Sequence, residues 1–134
     1  MSRKEPQTAI SVLSDFKNHL VDFFDDLIAL FPEEGDLLYM RIFIKDRVPI
    51  VDVMKRFVVE LDGNSGRVRS LIKKHDDIFF LERNLFDDFS KSKASHFKGL
   101  WTSPTIDDSE REVIWNWMHA FVILVDNWKK VTDS

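Results

Sequence analysis

The chain has 134 residues, 44% hydrophobic and 31% charged, with 19 basic against 23 acidic side chains and a net charge of −4. That length buries roughly 70% of its surface on folding, enough for one core, and the acidic balance argues against a general nucleic-acid binder, whose footprint is basic. The lack of cysteine excludes a disulfide framework, a thiolate metal centre and a cysteine nucleophile, while four Gly and four Pro exclude collagen-like or low-complexity character.

Helical periodicity dominates from the start. A first helix is predicted over about residues 6–31. Leu13, Phe16, Leu20, Phe24, Leu27 and Phe31 step by three or four along one face, and Ile10, Val21, Phe23, Ile28 and Leu30 widen it to about half the circumference. Asp15, Asp22, Asp25 and Asp26 fall opposite. Pro32 and Gly35 end this helix.

Asp36 is expected to cap a second helix reaching about Asp46, with Leu37, Leu38, Met40 and Ile44 as its apolar residues. Pro49 suits the first turn of a third helix, whose stripe is Ile50, Val53, Met54, Phe57 and Leu61. The run Asp62-Gly63-Asn64-Ser65-Gly66 is a stop. A short basic helix follows over about residues 67–74. Asp76-Asp77 then opens Ile78-Phe79-Phe80-Leu81-Glu82, which reads either as one or two helical turns or as a short buried strand. Residues 84–95 read as irregular, with a further short helix at about 95–101.

Pro104 breaks the chain before the last helix. Asp107-Asp108-Ser109-Glu110 has capping-box spacing with acids in the first turn. Ile114, Met118, Phe121, Val125 and Trp128 form its main stripe, Trp115 and Val122 flank it, and Ile123 points the other way. Lys129 and Lys130 complement the dipole of the last turn. A helix apolar nearly all round from Val113 to Val125 is either the centre of the domain or a docking surface. The expected architecture is a single all-α domain over residues 1–134, with five to seven helices, the long first and last ones packed together. Residues 1–6 and 131–134 are expected to be flexible ends.

Residues 1–6 carry positive charge without a following apolar stretch of the signal-peptide kind. Ser2 excludes N-myristoylation, and the missing cysteines exclude prenyl and palmitoyl anchors. The longest apolar run, Ala120 to Val125, falls far short of the about 20 residues of a membrane span. A soluble protein of a cytoplasmic type of compartment is expected.

Candidate chemistry is sparse. The pairs Asp25-Asp26, Asp76-Asp77, Asp87-Asp88 and Asp107-Asp108 could suggest carboxylate metal ligation, but helix neighbours do not face each other, and two of the pairs suit caps. His19, His75, His96 and His119 are scattered, without the two-His spacing of a helical zinc site. No nucleophile elbow, phosphate loop or dinucleotide fingerprint occurs. The expectation is therefore no enzyme, with no catalytic residue, metal site or cofactor. Arg67, Arg69, Lys73 and Lys74, with His75, form the one dense basic patch, suited to phosphate or an acidic partner; a solvated helix face is the commoner origin of such a patch. Trp115 is weighed equally as core or interface, since Trp is enriched at contact hot spots. Trp115 and Ile123, with the four basic residues, are the candidate partner-binding set.

Several stretches carry a family resemblance. They are Phe16-Lys17 followed by Phe24 through Phe31-Pro32-Glu33; Met40-Arg41-Ile42-Phe43-Ile44 into Val48-Pro49-Ile50; Asp77-Ile78-Phe79-Phe80-Leu81; His96-Phe97-Lys98-Gly99-Leu100-Trp101; and Val113-Ile114-Trp115-Asn116-Trp117. Together they resemble the small helical proteins of nucleocytoplasmic large DNA viruses, the phycodnavirus group in particular, over about residues 12–129. These motifs are aromatic and structural, and no catalytic or ligand residue is carried over. The resemblance implies a setting in the virion, with the host cytoplasm before assembly. It implies a minor capsid component that links capsomers by contacts with other capsid or viral proteins. The alternative is a viral regulator that binds nucleic acid or a host protein through residues 67–75.

Overall fold

The computed structural model of the chain describes residues 8–81 and 99–132, and within them every regular element is helical. Helix α1 spans Ala9–Leu30. Its start is set by a reciprocal cap: the Ser11 N–H donates to Thr8 Oγ1 at 3.0 Å, and the Thr8 N–H donates to Ser11 Oγ at 3.0 Å. Val12, Phe16, Leu20, Phe23, Phe24 and Leu27 are its buried face. Ile10, expected on that face, is 81% exposed, while Val12 in the same turn is fully buried, so Ile10 lies off the buried side of the helix.

Helix α2 spans Gly35–Ile42. Glu34 takes the N-cap position without a side-chain capping hydrogen bond, and Asp36, expected to be the cap, lies inside the first turn where an acid suits the dipole. The helix widens into a π-helical turn, Phe43–Arg47, closed by the Val48 N–H donating to the Phe43 carbonyl at 3.0 Å. Val48 is then extended, as the residue before Pro49 must be. Pro49 caps α3, Ile50–Asp62, which buries Val53, Met54, Phe57 and Leu61.

The stop after α3 is sharp for two reasons. A Cβ on Gly63 would sit 2.9 Å from the Val59 carbonyl oxygen, and Gly66 has φ +77°, a left-handed conformation that glycine adopts at no steric cost. Helix α4 follows, Arg67–Lys73. It ends in a Schellman motif: the Asp76 N–H reaches the Leu71 carbonyl at 2.9 Å and the His75 N–H reaches that of Ile72 at 3.1 Å. The left-handed position belongs to His75, φ +53°, where glycine is the usual occupant. Ile78–Leu81 is one helical turn, α5, which decides between the two readings of that segment. Its start is held by Asp76 Oδ1, which accepts from the Ile78 N–H at 3.1 Å.

Residues 99–101 are helical. The last helix, α6, spans Asp108–Thr132. Asp107 is its cap: its Oδ1 accepts from the Glu110 N–H at 2.9 Å and from Ser109 Oγ at 2.8 Å, while Glu110 Oε1 accepts from the Asp107 N–H at 3.0 Å. These bonds, the Glu110 N–H foremost, hold the Asp107 carboxyl below the usual carboxylate range. Val131 and Thr132 belong to the helix; residues 1–6 and 133–134, the part of the expected short helix before residue 99, and the stretch 84–95 expected to be irregular lie outside the described residues.

The long helices α1 and α6 pack together, and α6 also meets α3 and α4. At their junction Phe16, Phe57 and Phe121 form a triangle with centroids 5.0, 6.2 and 6.0 Å apart, every pair edge-to-face. All three rings are fully buried. Edge-to-face pairs gain from ring quadrupoles beyond their burial. No described helix is long and apolar enough to cross a membrane.

Candidate functional site

Spacing predicts that several of the basic residues 67–74 share one helix face, and the structure divides them. Arg67, Lys73 and Lys74 are exposed. Arg69 is turned inward instead. Its Nη1 and Nη2 donate to the two oxygens of Asp126 on α6 at 3.2 and 2.7 Å, and its Nε donates to Asp62 Oδ1 at the end of α3 at 3.0 Å. Lys129 Nζ donates to the other Asp62 oxygen at 2.6 Å. Two carboxylates therefore hold two cations across three helices. The Lys129 hydrogen bond, with Arg69 beside it, keeps the Asp62 carboxyl below the usual carboxylate range against a smaller opposing effect of burial. Arg69 in turn is raised, by Asp126 first. A guanidinium held in this way is an internal staple, so a phosphate or acidic partner meets Arg67, Lys73 and Lys74 without it.

The two apolar candidates also part company. Trp115 is 3% exposed and packs edge-to-face on Trp101, centroids 5.4 Å apart. It is a core residue, because its place on α6 faces the elements folded back from α4 and from residues 99–101. Ile123 is 60% exposed, on the side of α6 opposite the main stripe. Trp117, half-buried, donates from Nε1 to Asp26 Oδ2 at 2.8 Å, which ties α6 to the acidic side of α1. A contiguous apolar surface lies elsewhere. Leu38 and Tyr39 are 50% and 57% exposed on α2, with Ile42 one turn on at 39%. The Tyr39 ring stacks along Phe43 at 6.4 Å and 19°.

The histidines are the main departure from the sequence reading. His75 and His119, 44 positions apart and read as scattered, meet with their Nε2 atoms 2.7 Å apart. The His75 ring lies flat on Trp115, 5.0 Å between centroids and 5° between planes. Its Nδ1 faces Glu112 Oε2 at 3.6 Å. Glu112, Trp115 and His119 are three and four residues apart, one face of α6, and His75 lies along that face with one nitrogen toward each end. His19 has a different role: Nδ1 is 2.8 Å from the Asp15 carbonyl, and the ring packs edge-to-face on Trp117. His96 and Asp87-Asp88 lie outside the described residues.

The spacing of Glu112, Trp115 and His119 was legible in the sequence. Their partner was not, because it depends on where α4 ends and how its last residue turns. A single hydrogen bond joins the two imidazoles, so one Nε2 carries the proton and the other accepts it. With a carboxylate at Nδ1 of His75, the arrangement that suits all three groups places a proton on that Nδ1 and leaves the His75 Nε2 lone pair to accept from His119. Among the described residues no group of three or more His, Asp or Glu side chains is placed to hold a metal ion.

No protein-family model matches the chain, and no curated protein or solved structure is significantly similar to it.

Proposed function

We propose that this chain is a non-enzymatic assembly protein, in its viral setting a minor capsid component that joins neighbouring subunits by protein–protein contacts. The observation that carries this reading is the outer face of α2. Leu38, Tyr39 and Ile42 leave an apolar strip in solvent on a helix whose other side, Leu37 and Met40, is fully buried. The strip has an acidic start, Glu33, Glu34 and Asp36, and a far end that is basic on balance, Lys45 and Arg47 on either side of Asp46. That polarity is self-complementary. A second copy laid antiparallel on the first sets acids opposite bases at both ends, as a two-fold interface requires. An eight-residue helix is only about 12 Å long, so one such contact lies below the roughly 1,000 Å² of a lasting interface. It acts through repetition in a lattice, where many weak contacts sum.

Two measurements test this. Sedimentation velocity over a range of concentrations should show reversible self-association that Leu38→Glu with Ile42→Glu abolishes, while the helical circular dichroism of the chain is unchanged. A monomer at every concentration defeats the contact. Mass spectrometry of purified virus particles should find the chain at structural copy number, and its absence from them defeats the virion setting.

A further inference from the structure

We propose that His75 and His119 form a two-imidazole binding site for a divalent transition-metal ion of the zinc, nickel or copper class, with Glu112 as the positioning residue behind His75. The two Nε2 atoms already converge to 2.7 Å, a hydrogen-bond separation. Two nitrogen ligands of a tetrahedral ion at about 2.0–2.1 Å lie about 3.3 Å from one another. Holding an ion means parting the nitrogens by about 0.6 Å and swinging each ring by about 35°, so that lone pairs now aimed at the opposite nitrogen meet at the ion with a tetrahedral angle.

Three further features support it. Glu112 faces Nδ1 of His75 at 3.6 Å. That distance is beyond a hydrogen bond, so the carboxylate acts through its charge, which favours a proton on Nδ1 and leaves the lone pair on Nε2, the arrangement ligating histidines use. Trp115 holds the His75 ring plane at 5° from its own, so a swing of the imidazole toward an ion stays within that plane and keeps the stack. The backbone at His75 is left-handed, φ +53°, a conformation that a Cβ disfavours and glycine adopts freely. The Schellman turn itself would be served better by glycine. Retained strain of this kind accumulates where a side chain has a task, and here the strained residue is the one that carries the imidazole to α6.

The proton balance is simple. Both rings stay neutral. His119 moves its proton from Nε2 to Nδ1, and both Nε2 lone pairs then face the ion, with water in its remaining positions. Imidazole ligands select borderline-soft cations; magnesium and calcium, which want oxygen ligands, are excluded. The ion clamps the end of α4 to α6.

Titration calorimetry of the full chain with zinc chloride and with nickel chloride tests the site. One ion per chain is expected, with no heat from magnesium chloride. His75→Gly and His119→Gln should each weaken binding at least tenfold, and Glu112→Gln by about tenfold. His75→Gly keeps the fold, since glycine suits the left-handed turn, so its failure to bind cannot be assigned to unfolding. Zinc should raise the melting temperature of the unaltered chain and not that of His75→Gly. Absence of binding at about 1 mM zinc and nickel, where only contacts weaker than about 4 kcal/mol go undetected, overturns the proposal. So does binding that survives both histidine substitutions, which would place the ion elsewhere.

Discussion

Arg69 grips Asp126 with both terminal nitrogens of its guanidinium, at 2.7 and 3.2 Å, across 57 positions of sequence. The fork geometry of the guanidinium matches a carboxylate, and its third donor, Nε, reaches Asp62. One side chain on α4 therefore fixes that helix to both α3 and α6. The pair remains partly in water, with side-chain exposures of 28% and 43%, so solvent screening limits its strength.

Arg69→Ala should destabilise the fold by about 1 kcal/mol, the upper end for partly exposed pairs. In a chain of this length that lowers the melting temperature by about 2–5 °C. Urea denaturation of Arg69→Ala, Asp126→Asn and the double variant should show a coupling between the two sites. Additive losses would mean that the pair contributes nothing as a pair.

Asp62 makes part of the stability acid-sensitive. Its carboxyl is held below its ordinary value in the folded chain, by the Lys129 hydrogen bond first. Its contribution is therefore complete above the unfolded value, about 3.9, and is lost as pH falls through the folded value. The drop in stability between about pH 5 and pH 1 should be shallower for Asp62→Asn than for the unaltered chain. Chemical denaturation at a series of pH values checks this, and equal slopes would contradict it.

The aromatic triangle should respond much more strongly than any surface pair. Phe121 is fully buried and meets Phe16, Phe23 and Phe57 edge-to-face at 6.2, 5.5 and 6.0 Å. Phe121→Ala removes a ring that α1, α3 and α6 share, and should cost about 3–5 kcal/mol. That is a large part of the roughly 5–15 kcal/mol that domains possess. Thermal unfolding followed by circular dichroism measures it.

His75 separates backbone from side chain. His75→Ala loses the stack on Trp115 and keeps the left-handed conformation, whereas His75→Gly loses the same stack and relieves the backbone. The glycine variant should be the more stable of the two by about 1 kcal/mol. Equal stabilities would show that the turn relaxes once the imidazole is gone. The comparison is made without added metal.

Local pattern carried most of the fold. The stripes of α1, α3 and α6 are visible because helical spacing repeats within each segment, and the Asp107 box lies within four residues of sequence. The errors are local as well. The Thr8 and Ser11 pair that starts α1 gives no signal beyond its own two residues, and α2 starts two residues before the position that Asp36 as a cap implies, because a helix start has several admissible registers and the packing of Leu37 and Met40 selects among them.

The candidate site was far less legible. A sequence displays the neighbours of a residue along one helix, so Glu112, Trp115 and His119 could be placed on one face. Which side chain lies across from that face depends on the left-handed turn at His75 and on the return of the chain from α4. By itself the sequence determined that this is a helical domain with a broad apolar face on its first and last helices, because periodicity is a property of each segment alone. Only the tertiary structure decided that Arg69 turns inward, that Trp115 is core and that two histidines meet, because each of those outcomes depends on groups brought together from different helices.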